Sequence, residues 1–127
     1  MQPITNEIIQ EFLSNNTIEY LPTHNKLSLA IINRIYKKML FGIKFEAIKL
    51  NGRFVIDGHH RYISARIANI SIETLNYPKS SATIEYCWEK VNFVEEEWDT
   101  KNKIQYLNEL DAEYNNVSIE KIIEIIE

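Results

Sequence analysis

The stretch from residue 54 to residue 68, FVIDGHHRYISARIA, places an apolar strand-like run almost directly before a helix-like run. Gly58 lies between the strand-like run and the helix-like run. Asn51 and Gly52 precede the strand-like run, and Asn-Gly between two such runs is the strongest short-range signal for a β-hairpin with a type I′ turn. The chain is therefore constrained to a hairpin whose second strand passes straight into a helix.

Apolar periodicity predicts further elements on both sides of this hairpin. Helices are predicted over residues 5–14, 26–41, 59–70, 99–114 and 117–127, and strands over residues 17–22, 44–50, 53–57, 71–78 and, as one extended segment, 82–94. Asp99 and Ser118 are the predicted N-caps of the last two helices, and Gly42 is a predicted C-cap. This order predicts an α+β fold with a small mixed sheet and C-terminal helices, not a regular βαβ series.

Length and composition predict one globular domain over residues 1–127. Of the 127 residues, 45% are hydrophobic and 25% are charged, and a chain of this size can bury its own core. The single cysteine, Cys87, excludes an internal disulfide. No apolar run approaches the ~18 residues of a membrane span, and the first ten residues lack the pattern of a signal peptide. A cytoplasmic protein without a membrane partner is expected.

The net charge of −4 is unevenly distributed along the chain. Residues 1–80 carry ten Lys and Arg against six Asp and Glu, whereas residues 81–127 carry four against twelve. We therefore predict a core over residues 1–80 and an acidic, mostly helical extension over residues 81–127. A uniformly basic nucleic-acid binder is disfavoured, because phosphate contacts need cations. A protein partner for the acidic third is the alternative to plain solvated helix faces.

The turn between the predicted strand and helix, residues 57–61, is the candidate site. The first amides of a helix have no internal partners and carry partial positive charge, and Gly58 leaves room for an approaching group. Arg61 adds a cation with several donors. These features predict an anion site, with phosphate as the anion. Ser64 lies one helical turn beyond His60 and is predicted to line the same pocket.

Three side chains of this turn have more than one interpretation. Asp57 either caps the helix or faces the pocket and handles a metal ion or a proton. His59 and His60 are phosphate donors, acid–base groups or partly buried structural side chains. No metal ligand is assigned, because adjacent histidines diverge on a helix and no further Cys or His lies at ligand spacing.

The sequence from FEAI through NGRFVIDGHHRYISARIANI resembles the core of the ParB/sulfiredoxin superfamily, over roughly residues 17–77. In that superfamily a helix, a hairpin, a glycine-containing turn that ends in arginine and a second helix form a nucleotide-phosphate site. The residues to which the resemblance assigns phosphate binding are Gly58, His59, His60 and Arg61. It also implies that Glu46 lies near the pocket. Sulfiredoxins carry a cysteine where this chain has His59, and ParB partition proteins add DNA-binding and dimerisation domains, so neither activity is expected.

The predicted function is binding of a nucleoside di- or triphosphate with Mg²⁺, followed by phosphoryl transfer or nucleotide hydrolysis. In this hypothesis Glu46 or Asp57 holds the metal or activates the acceptor. His59 or His60 donates to a phosphate oxygen. The first alternative is a ParB-like nuclease or nucleic-acid-binding module. Its cationic footprint would comprise Lys37, Lys38, Lys44, Lys49 and Arg53. The second alternative is a non-enzymatic interaction domain of a bacterial toxin–immunity or regulatory system.

Overall fold

A computed structural model describes residues 2–127 as a set of short helices packed on two small sheets. The helices are α1 (Asn6–Asn15), α2 (Leu29–Leu40), α3 (His59–Ala68), α4 (Lys101–Asn115) and α5 (Ile119–Ile126). The strands are β1 (Lys26–Ser28), β2 (Ile48–Asn51), β3 (Phe54–Asp57), β4 (Thr74–Asn76) and β5 (Asn92–Val94), with a 3₁₀ turn at Trp88–Lys90. The predicted α+β fold is confirmed. None of the helices between residues 2 and 127 has the length and apolar character to cross a bilayer.

The strands form one two-stranded and one three-stranded sheet. β1 pairs in parallel with β5, and β2 lies between its antiparallel partner β3 and its parallel partner β4. The predicted hairpin is confirmed, but Asn51 pairs with Phe54, so the two central turn residues are Gly52 and Arg53. Only Gly52, with φ of 59°, has a positive φ in this turn. The pattern is that of a type II′ turn, and the predicted type I′ turn is wrong.

Two predictions before α2 are wrong because strand pairing depends on distant residues. Lys26–Ser28, predicted as the first turn of a helix, pair with β5 as strand β1, and Ser28 then caps α2 by accepting from the amide of Ile31. Residues 17–22 form no strand. Within that segment Leu21 makes an isolated bridge to Phe54.

The region between β4 and α4 also differs from its prediction. Of residues 82–94, predicted as one extended segment, only Asn92–Val94 form a strand. Thr100, not Asp99, caps α4 by accepting from the amide of Lys103, which leaves the Asp99 carboxylate free for a tertiary contact. The predicted cap of α5, Ser118, is confirmed.

One main hydrophobic core joins α1, α2, the hairpin, α3 and β5. Its buried members are Ile4, Ile9, Leu27, Leu29, Ile32, Ile48, Leu50, Val55, Tyr62, Ile63, Trp88, Val91 and Phe93. Trp88, Val91 and Phe93 lie beyond residue 80, so the packed core does not end where the charge distribution changes. β5 carries the chain back into this core beside β1.

The helical hairpin α4–α5 packs on the end of α2 through a second, smaller cluster. Ile43, Ala112 and Ile122 are its buried residues. Asn115 reinforces the contact, because its side chain accepts from the backbone amide of Lys44 at 2.6 Å and donates to the Lys44 carbonyl at 3.0 Å. α4 is thereby held in front of α2 and the start of α3, and a cavity lies between them.

Candidate anion-binding site

A cavity of about 780 Å³ is lined by α2, the start of α3 and α4. Its wall contains all five residues of the predicted turn, Asp57 to Arg61, and also Glu46. Six of the seven predicted site residues are thus brought together. Ser64 is the exception, because it is fully buried and its hydroxyl donates to the carbonyl of Ile32 on α2 at 3.2 Å. Ser64 joins two helices and does not line the cavity.

The start of α3 lacks any side-chain cap. Gly58 occupies the N-cap position with φ of 95°, and the first hydrogen bond of the helix runs from the Tyr62 amide to the Gly58 carbonyl at 2.8 Å. Within residues 2–127 no acceptor bonds the amides of residues 59–61. Of the two interpretations of Asp57, the helix cap is wrong, because Gly58 takes the cap position and Asp57 is exposed at the cavity wall. Three helix-start amides are left for an external acceptor.

The guanidinium of Arg61 lies directly over Gly58. A Cβ atom at residue 58 would stand 2.8 Å from Nη2 and 3.1 Å from Cζ of Arg61. Nη2 donates to the carbonyl of Ala47 at 3.3 Å, whereas the buried Nε has no acceptor in the described part of the chain. Arg61 is therefore a partly anchored cation with one unused donor.

Both histidines use Nε2 to accept a backbone amide. His59, which is 2% exposed, accepts from Thr23 at 2.9 Å, and its ring stacks on His24 with centroids 4.1 Å apart. His60 accepts from Ser28, also at 2.9 Å. Each ring is therefore neutral and carries its proton on Nδ1. The Nδ1 of His59 is buried and finds no partner among the residues described.

Burial keeps both imidazole rings uncharged at neutral pH. Burial lowers the pKa of His59 from 6.5 to about 3, with smaller contributions from the charges of His24 and His60. Burial also lowers the pKa of His60 to about 4, with smaller contributions from His24, Arg34 and Arg61. At neutral pH the two rings are hydrogen-bond donors through Nδ1, not carriers of positive charge.

Acidification is therefore expected to destabilise the fold through these two side chains. Their folded pKa values of about 3 and about 4 lie below the unfolded value of 6.5, so the unfolded chain binds more protons once the pH falls below 6.5. We expect full stability above about pH 7 and a loss of about 1.4 kcal/mol per pH unit for each histidine as the pH falls from about 6 to about 4.

Urea denaturation of the wild type and of His60→Gln at several pH values checks this expectation. The glutamine can accept the Ser28 amide but does not titrate, so the variant should lose stability with about half the slope of the wild type. An unfolding free energy that stays constant between about pH 7 and about pH 5 would contradict the argument.

Two further cations line the cavity, and sequence reasoning did not single them out as site residues. Arg34 on α2 pairs with Glu97 and, at 3.0 Å, with Asp99. Lys38, one turn further along α2, pairs with Asp111 on α4 at 2.7 Å. The four-residue spacing predicts a shared helix face, but nothing local in the sequence identifies acidic partners more than sixty positions away.

Lys38 is 4% exposed, which removes it from the cationic footprint predicted for nucleic acid.

The carboxylates of the cavity do not form a metal cage. In the described range, residues 2–127, no group of three or more His, Cys, Asp or Glu side chains is placed to hold a metal ion. Glu46 and Asp57 both line the cavity. Mg²⁺ is commonly held by one or two carboxylates together with substrate phosphates, so these two residues are compatible with a metal that arrives with its phosphate ligand.

No protein-family model, no curated protein and no solved structure matches this chain. The resemblance of residues 17–77 to the ParB/sulfiredoxin core therefore stays a prediction from its motif. The site itself is a pocket whose wall includes a helix start with donors that have no acceptor within residues 2–127.

Proposed function

We propose that this protein binds a nucleotide or another organic phosphate, with a phosphate group at the start of α3. The supporting observation is a group of donors without acceptors at the start of α3, whose residues line the cavity. The amides of residues 59–61, Arg61 Nε and His59 Nδ1 have no acceptor within residues 2–127. The first amides of any helix lack internal partners, but buried side-chain donors are normally satisfied, so the two unpaired side-chain donors at this helix start support an anion from outside the chain as the partner.

The phosphate oxygens would take the places of the missing acceptors. The amides of residues 59–61 and the Arg61 guanidinium would bind the equatorial oxygens, and the helix start contributes partial positive charge. The neutral histidines would add no charge.

The reaction that this arrangement supports is phosphoryl transfer to water or to a hydroxyl group. Glu46 or Asp57 would take the proton of the attacking hydroxyl as its oxygen bonds to phosphorus. The bond from phosphorus to the leaving oxygen would break, and that oxygen would leave with its electron pair and be protonated from solvent. Arg61 and the helix-start amides would stabilise the charge on the transferred group. Glu46 and Asp57 would be the residues to hold Mg²⁺, which would neutralise part of that charge.

Arg61→Ala is expected to weaken phosphate-ester binding by about 10- to 150-fold, the equivalent of one charge-assisted contact of about 1.5–3 kcal/mol. Calorimetric titration with AMP, ADP and ATP, each with and without Mg²⁺, measures the change. Arg53→Ala is the matched control, because Arg53 is an exposed arginine on the hairpin turn and does not line the cavity. The loss should be confined to Arg61→Ala.

Three results would contradict the proposal: no phosphate ester binds, Arg61→Ala binds as the wild type does, or both arginine variants lose affinity equally. The last result, together with binding of DNA or RNA that weakens steeply with salt, would favour the nucleic-acid-binding module. Absence of binding to phosphate esters and to nucleic acids would favour the interaction domain.

A further inference from the structure

We infer that the ligand of this site carries a single phosphate group on an apolar or aromatic body that lies between α2 and α4. This inference rests on the proposed function and narrows it. The di- or triphosphate predicted from the sequence becomes a monophosphate ester. Two independent features of the cavity support it: the apolar side chains of its wall, and the ion pairs made by the α2 cations.

Many of the side chains that line the cavity are apolar or aromatic. They are Ile31, Ile35, Phe45, Trp98, Ile104, Leu107, Leu110 and Tyr114. A volume of about 780 Å³ lies in the range of pockets that enclose whole small molecules, and it is far larger than one phosphate group needs. Leu110 and Tyr114 remain 41% and 57% exposed, so this wall presents apolar surface that the protein itself does not cover.

The charges around the cavity limit the number of phosphates. Of the three Lys and Arg side chains in the wall, Arg34 and Lys38 already contact carboxylates, and Arg61 alone has an unpaired buried donor. The carboxylates in the same wall are Glu46, Asp57, Asp99, Asp111 and Glu113. Each phosphate added beyond the first would bring negative charge toward these groups without a free cation to meet it.

The C-terminal third of the chain would therefore act as the selectivity element. Glu97 and Asp99 precede α4, Asp111 lies on it, and their carboxylates occupy the cations that a second or third phosphate would require. Selectivity for a monophosphate then depends on two effects: contacts with the monophosphate, and repulsion of diphosphates and triphosphates by these carboxylates.

Calorimetric titration with AMP, ADP and ATP in the absence of divalent metal tests whether the number of phosphates limits binding. We expect AMP to bind more tightly than ADP, and ADP more tightly than ATP. The double variant Glu97→Gln/Asp99→Asn frees Arg34 and should raise the affinity for ADP relative to AMP by about 10-fold, the effect of one gained charge-assisted contact. The control Glu95→Gln/Glu96→Gln removes the same charge from exposed neighbours outside the cavity and should leave that ratio unchanged.

The apolar wall is tested with 1-naphthyl phosphate and inorganic phosphate. We expect the naphthyl ester to bind at least about 10-fold more tightly, as burial of an aromatic group predicts. Leu107→Asn should reduce affinity for the ester and not for inorganic phosphate. Leu75→Asn, at an exposed leucine of β4 outside the cavity, should reduce neither.

The outcomes separate this inference from the proposed function. If affinity rises with the number of phosphates, or the naphthyl ester binds no better than inorganic phosphate, the inference is wrong, while a loss of binding in Arg61→Ala still supports the phosphate site. If neither phosphate nor any ester binds the wild type, both are wrong. An ADP-to-AMP ratio that shifts equally in the two double variants also overturns the charge argument.

Discussion

Asp111→Ala is expected to lower the free energy of unfolding by about 3–5 kcal/mol, the cost of leaving a buried charge unpaired. The Nζ of Lys38 is buried between α2 and α4, where it donates to Asp111 at 2.7 Å and to Asn108 Oδ1 at 2.8 Å. Removal of Asp111 leaves the ammonium group with a neutral amide oxygen as its remaining partner. Because the pair joins α4 to α2, we expect the loss to loosen the α4 wall of the cavity.

Lys38→Met is expected to cost much less, which makes the comparison diagnostic. Methionine fills the buried space of the lysine stem, and the Asp111 side chain is 18% exposed, so its carboxylate can be hydrated once the lysine is gone. The double variant Lys38→Met/Asp111→Ala should therefore be more stable than Asp111→Ala alone. Urea denaturation at neutral pH measures all three variants, and the double-mutant cycle gives the coupling.

Glu113→Ala is the control for loss of an acidic side chain on the same helix. Glu113 is exposed and forms no ion pair in the described structure, so a change of less than about 0.5 kcal/mol is expected. Equal losses for Asp111→Ala and Lys38→Met, or losses near that of Glu113→Ala, would mean that the pair behaves as a screened surface contact.

Gly58→Ala is expected to cost about 2–5 kcal/mol and to remove phosphate binding. The residue has φ of 95°, where a side chain costs about 1–2 kcal/mol. Its new Cβ would also stand 2.7 Å from Cγ2 of Ile48 and 2.8 Å from Nη2 of Arg61. Ile48 is fully buried and cannot withdraw, so the overlap should add about 1–3 kcal/mol and displace the guanidinium from the helix start.

Gly42→Ala separates backbone strain from this overlap. Gly42 has φ of 86°, but a Cβ there would meet nothing within 4 Å. Both variants carry the conformational penalty, so thermal or urea denaturation should show a larger loss for Gly58→Ala, and calorimetric titration should show loss of ligand affinity for that variant alone. Equal destabilisation with unchanged affinity would mean that contact between Gly58 and Arg61 is not required.

Local patterns were sufficient to predict the hairpin, the helix that follows it and the residues between them. Asn51 and Gly52 identified the turn region, and the 3.6-residue period identified α1, α3 and α5, because these signals act over a few neighbouring residues. The candidate site was predictable for the same reason. The first amides of α3 and the Arg61 side chain belong to neighbouring residues, so the candidate site is encoded within five consecutive residues.

Partners far apart in sequence were not predictable from these patterns. Lys26–Ser28 continue the apolar period of α2, yet pairing with β5 makes them a strand. Lys38 lies in the last turn of α2, where a lysine commonly interacts with the negative end of the helix dipole. In the structure it is buried against Asp111, seventy-three positions away. Ser64 shares a helix face with His60 but points into a helix–helix contact.

Short-range signals in the sequence specify a hairpin that runs into a helix, with a glycine and an arginine at the junction. Its surroundings depend on the tertiary structure: apolar side chains of α2 and α4, two α2 cations paired with acidic residues, and the burial that keeps His59 and His60 neutral. The two kinds of feature differ in how far apart in sequence the residues that control them lie. Turn and helix-start geometry depend on backbone conformation over a few residues, whereas burial, ion pairing and pocket shape depend on which distant surfaces come into contact.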